Sequence, residues 1–200
     1  MDYWGNKDTS IGFCENKYDQ VFWIAEYYNT VSSLTYILVA TPFLNGKLSK
    51  IAWSTVGVGV GSMMLHGSMR FYGQWVDEIS MLLYSYYILR YIDKKFPPLI
   101  SIIITAYLLQ WHNFLVFLSI FFSMQIRILN ILIEKHKFLV YLYSAFFTIG
   151  LGCWTIDQFM CSKIQEYQLH AYWHIFTSMS MLTTMITLYF RDKKPVALKQ

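Results

Sequence analysis

Long apolar stretches separated by short polar clusters dominate this chain. A helix that crosses a bilayer needs about 20 mostly apolar residues. Seven segments approach that length: 20–43, 50–67, 72–92, 97–112, 113–133, 138–155 and 168–190. Only His112-Asn113 separates the fourth from the fifth. One unbroken helix over both would be long enough to cross twice, so two helices are expected. The pattern predicts an all-α membrane protein, a seven-transmembrane helix bundle over 20–190. A polar N-terminal segment (1–19) precedes it and a basic tail (191–200) follows it.

Composition removes the soluble alternative. Hydrophobic residues make up 56% of the chain and charged residues 14%, with a mean hydropathy of +0.35. A water-facing domain usually carries about 25% charged residues. Four prolines and ten glycines are too few for a disordered or turn-rich β chain. Asp2, Asp8, Glu15 and Lys17 interrupt the first eighteen residues, so no cleaved signal peptide is expected and the first helix acts as its own insertion signal. The net charge of +4 does not indicate a nucleic-acid partner, because the basic residues sit in clusters between apolar segments.

Those clusters give an orientation. Twelve of the sixteen Lys and Arg residues, from Lys47 and Lys50 to Lys199, fall on one side of a seven-span layout; Lys7, Lys17, Arg70 and Lys163 fall on the other. Basic residues stay cytoplasmic, which places the N-terminus outside or in a lumen and the C-terminus in the cytosol. No internal repeat suggests a solenoid or a two-fold transporter. Cys14 precedes the first helix and Cys161 follows the sixth, both on the side that is usually oxidising, where a disulfide between them is allowed. Cys153, inside an apolar run, reads as a small buried residue.

Polar residues inside membrane helices are costly and mark function. Glu26, Asn29 and Ser33 share one face of the first helix. Gly57, Gly59 and Gly61 in the second let another helix approach closely, and Ser62 and His66 lie one turn apart beyond them. Asp77, with Glu78 beside it, opens the third helix. His170 and His174 open the seventh at i, i+4, the spacing by which one helix supplies two metal ligands. The second helix runs outward and the third and seventh run inward, so Ser62, His66, Asp77, His170 and His174 converge at one depth. Three neutral imidazoles with an open fourth position make a catalytic zinc site, with a zinc-activated water as nucleophile. Asp77 is placed as general base and acid, and Ser62 as a donor to a developing oxyanion. A Ser62 nucleophile is disfavoured, because no G-x-S-x-G elbow surrounds it. His112 and His136 read as solvated loop residues, and the many Phe and Tyr residues as lipid-facing or interfacial.

Cys14-Glu15, Glu26-x2-Asn29-Thr-Val-Ser32-Ser33, Gly61-Ser62-x3-His66, Gln74-x2-Asp77-Glu78, Trp154-x2-Asp157 and His170-x2-Trp173-His174 occur in that order. The series resembles the alkaline ceramidase family, within a superfamily that includes adiponectin-receptor-like proteins. The resemblance implies hydrolysis of the membrane lipid ceramide to a sphingoid base and a fatty acid. It also implies zinc on His66, His170 and His174, with Asp77 as acid/base and Ser62 near the oxyanion. It suggests a Cys14–Cys161 disulfide and residence in endoplasmic reticulum or Golgi membranes.

One departure concerns calcium. Family members with a calcium site build it from an Asp, a Trp carbonyl, a Glu, an Asn and a later Glu. Glu15 and Glu26 match the two Glu positions, but Gly12 stands for the Asp, Phe13 for the Trp and Lys17 for the Asn. Calcium wants six to eight oxygens, so its binding is doubtful. The Lys17 ammonium is expected near Glu15 and Glu26 as a built-in cation, the alternative being a Lys17 that points to water. Two other functions compete: an adiponectin-receptor-like receptor with a zinc site, and a small-solute transporter. The Asn-Thr-Val-Ser-Ser run and Trp154-x2-Asp157 favour ceramidase over the former. The absence of internal symmetry disfavours the latter.

Overall fold

The computed structural model describes residues 3–133 and 137–192, in which a non-helical N-terminal segment is followed by helix after helix from Tyr27 onward. Helix α1 (Tyr27–Ser32) and α2 (Leu34–Ala40) form one rod, because Ser33 between them keeps helical angles (φ −60°, ψ −22°). Then come α3 (Ser49–Ser68), α4 (Phe71–Ile92), α5 (Ile100–Leu109), α6 (Phe114–Ile133), α7 (Lys137–Ile164) and α8 (Leu169–Asp192). No strand occurs among the described residues. His136, Lys135 and residues 193–200 of the basic tail lie outside them.

Three boundaries differ from the hydropathy reading, each for a physical reason. Residues 20–26 are not helical. Glu26 is extended (φ −127°, ψ 95°), and the amides of Ala25 and Glu26 donate to the Gly67 and His66 carbonyls at the end of α3. That pairing holds the chain against α3 instead of in a helix. Helix α5 has only ten residues, about 15 Å at 1.5 Å per residue, half of a bilayer core. Pro97 and Pro98 delay its start, since proline has no amide hydrogen and a fixed φ. Helix α7 runs on through Asp157 and Cys161, beyond the apolar segment 138–155, and non-helical angles at Met160 mark a kink (φ −123°, ψ 20°). Anchors to the N-terminal segment, described below, hold this polar extension where hydrophobicity runs out.

Among the described residues two helices, α6 and the segment Lys137–Tyr167, are long and apolar enough to cross a membrane. Cys153, expected to be buried, is half-buried on α7. The helix is an outer one, with Phe138 and Phe159 largely exposed on it.

Helices α3 and α4 make the closest pairing, and glycine sets it. A Cβ on Gly61 would collide with the Asp77 backbone, and one on Gly73 with the Leu65 backbone. Because both side chains are absent, the α4 segment that carries Asp77 lies directly against the α3 turn that carries Ser62 and His66. Below this contact Ile51, Ala52, Leu82 and Leu89 fill the core at 0–1% exposure.

Candidate metal centre

His66 comes from the last turns of α3, and His170 and His174 from the first turns of α8. The i, i+4 spacing brings the two α8 rings to 4.7 Å between centroids, and His66 stands 4.9 Å from each. Each histidine is 1–3% exposed. One ligand atom from each lies within 4.8 Å of the others, so the three could hold a metal ion. The donor set fits zinc, which takes imidazole nitrogens readily, and not calcium, which takes oxygens.

Second contacts orient two of the rings. His66 Nδ1 bonds the Glu26 carboxylate, and His174 Nδ1 lies 2.8 Å from Ser32 Oγ. Both bonds leave Nε2 to face the centre, the arrangement by which outer partners fix a ligand's ring. His170 Nδ1 has no hydrogen-bond partner among the described residues.

A small cavity of about 60 Å³ opens beside the rings. Ser62, Asp77 and Glu78 line it together with the histidines. Asp77 Oδ1 is buried without a hydrogen-bond partner among the described residues. Ser62 Oγ is 3.4 Å from His174 Nε2 and 2.9 Å from Ser33 Oγ. The remaining wall is apolar, chiefly Phe117, Phe121, Leu151, Trp154 and Trp173 from α6, α7 and α8.

The N-terminal segment roofs this end. The Phe13 ring packs 4.5 Å from His66 and 4.2 Å from His170. Asp8 accepts the Phe71 amide and pairs with Arg70 at 2.9 Å, and the Ser10 amide donates to Gln74. On the other side Cys14 is disulfide-bonded to Cys161. The Cys14 amide donates to the Asp157 carboxylate, Gln158 donates to the Gly12 carbonyl, and Gln165 donates to the Cys14 carbonyl. Asp157 thus anchors the segment and does not enter the cavity lining. A Cys161→Ser variant is expected to lose about 2–5 kcal/mol of stability; thermal unfolding in detergent, with and without reductant, measures it, and wild type under reductant should match the variant.

Lys17 turns inward. Its Nζ donates to the Phe13 and Glu15 carbonyls, each at 2.9 Å, and pairs with the Glu26 carboxylate. Glu15 does not reach that ammonium with its side chain; its two oxygens instead accept the Tyr28 and Asn29 amides at the start of α1. Burial pushes the Glu15 carboxyl up to about 7, against the pull of those two donors.

All five residues assigned to zinc chemistry from the sequence are brought together, and Glu15, Glu26, Phe13 and Lys17 form an adjoining cluster. Sequence reasoning missed Ser32, although its i, i+3 spacing from Asn29 was a usable signal. It also missed the Phe13 ring and Glu78 as parts of the site. Nothing in the sequence pattern could have shown the ring folding back over the histidines. His112 is exposed against Trp111, away from the centre.

The class is thereby defined: a helical protein with three buried imidazoles around one point, beside a carboxylate, a hydroxyl and a largely apolar cavity. The family described as Ceramidase matches residues 5–195, and this chain belongs to that family. It is similar to alkaline ceramidase of Arabidopsis thaliana, 27% identical over 94% of this chain and 86% of that protein. Alkaline ceramidase 3 of Mus musculus is 24% identical at the same coverage. Alkaline ceramidase 1 of Homo sapiens is 23% identical over 93% of this chain and 84% of its own.

Proposed function

We propose that this chain hydrolyses ceramide to a sphingoid base and a free fatty acid at a zinc centre held by His66, His170 and His174. The observation that carries the reading is the triangle of buried imidazoles sharing one cavity with Asp77 and Ser62. Three protein ligands are the number that leaves a position for water or substrate. A zinc ion bound there would act as a Lewis acid and bring water's deprotonation near neutral pH.

The chain's own residues supply the rest. Asp77, whose Oδ1 is buried and free, takes the proton from the attacking water. It returns that proton to the amide nitrogen as the C–N bond breaks, so one water yields one acid and one amine. The Ser62 hydroxyl donates to the carbonyl oxygen as negative charge builds there. The aromatic wall holds hydrocarbon chains, and the Phe13 ring keeps bulk water from the imidazoles.

The same reading places the protein across a bilayer, with seven segments in the membrane of which α5 reaches only part of the way across, the N-terminus outside or lumenal and the C-terminus cytosolic. Support comes from the charge bias, from outward-facing Leu109, Leu115, Phe138 and Phe159 at 68–80% exposure, and from a disulfide that an oxidising side permits. The family resemblance directs it to endoplasmic reticulum or Golgi membranes.

Incubating the purified, zinc-loaded protein with acyl-labelled ceramide should release fatty acid and sphingoid base in equal amounts. A zinc chelator should stop release and added zinc restore it. Absence of product from protein of verified zinc content would sink the proposal.

A further inference from the structure

We propose that the Lys17 ammonium is a resident cation, tethered by its own side chain at the place where a divalent ion would otherwise join the N-terminal segment to Glu26. Three oxygens from three residues converge on its Nζ: two main-chain carbonyls, of Phe13 and Glu15, and one carboxylate oxygen of Glu26. Carbonyls and a carboxylate gathered on one point are the ligand set of a hard cation. Here the point is filled by a covalently attached charge.

Neighbouring groups also disfavour a metal. Gly12 brings no side-chain oxygen, and Lys7 Nζ lies 2.6 Å from where its Cβ would be. Burial and the charge on Lys17 push the Lys7 ammonium's pKa down. A calcium ion would have to displace one ammonium and settle beside another. The residues present therefore do not fit calcium.

The resident charge reaches the candidate metal centre through one intermediary. Glu26 is fully buried, with one oxygen on Lys17 and the other on His66 Nδ1 and the Asn29 side-chain Nδ2. A buried carboxylate that loses its cation is strongly destabilised, and a ligand whose outer partner is lost binds its metal about 10–100-fold more weakly. Lys17 is thus a positioning residue: it fixes Glu26, which fixes the His66 ring, without any exchangeable ion. Only the zinc consequence rests on His66 being a metal ligand.

The test compares wild type with Lys17→Met in detergent, in about 1 mM calcium, where weak sites fill, and in a calcium chelator that spares zinc. The wild-type melting temperature should be the same in both. Lys17→Met should melt several degrees lower, and the folded variant should hold zinc about 10–100-fold more weakly in a competition titration. A role confined to stability would lower the melting temperature and leave zinc affinity unchanged, and that result would overturn the proposal. So would a wild-type melting temperature that climbs with calcium, an arm that stands even if the variant does not fold. If wild type held no zinc, the reading of the metal centre would fail, while the calcium comparison would still judge the resident cation.

Discussion

His170→Ala is expected to strip the protein of stoichiometric zinc and lower ceramide turnover about a thousandfold. The number follows from the several kcal/mol that a Lewis acid contributes to stabilising transition-state charge; about 4 kcal/mol corresponds to three powers of ten. His170 suits this test because its Nδ1 has no hydrogen-bond partner among the described residues. Truncating it strands no orienting residue, whereas removing His66 would leave Glu26 buried beside an empty space. Metal analysis of the purified variant, paired with product release from labelled ceramide, gives both readouts. Full zinc content with wild-type turnover would remove His170 from the centre.

Asp77→Asn should separate metal binding from proton transfer. The amide keeps the shape of the carboxylate but cannot accept a proton near neutral pH. Turnover should fall by about 10²–10⁴, the usual contribution of a positioned acid/base, while zinc content stays near wild type. The variant should also fold well, since Asp77 Oδ1 has no hydrogen bond to lose. A variant that retains half of its activity would exclude Asp77 as the acid/base. Glu78, its neighbour on the cavity wall, would then be the next residue to replace.

Much of this site was legible because its residues sit at helix ends. Direction alternates along a bundle of antiparallel helices, so the end of α3 and the starts of α4 and α8 must meet on one side. Ser62, His66, Asp77, His170 and His174 could be grouped from chain direction alone. The i, i+4 pair on α8 needed only helical periodicity. What hydropathy could not reveal depended on contacts between distant segments. The non-helical stretch 20–26 exists because α3 offers the His66 and Gly67 carbonyls to it. The extension of α7 past residue 155 is held by Cys14 and Gly12. Main-chain partners of that kind leave no mark in side-chain periodicity. The shortness of α5 was closer to the surface of the sequence, since Pro97 and Pro98 stand at its start.

The glycine contact between α3 and α4 carries a geometric consequence. The gap between the Asp77 carboxylate and the imidazole of His66 is measured out by two hydrogen atoms, one on Gly61 and one on Gly73. A single methyl at either position would work as a wedge, levering the Asp77 carboxylate away from the His66 ring while leaving both side chains chemically intact. The tolerance of the site is therefore written in residues that take no part in the chemistry.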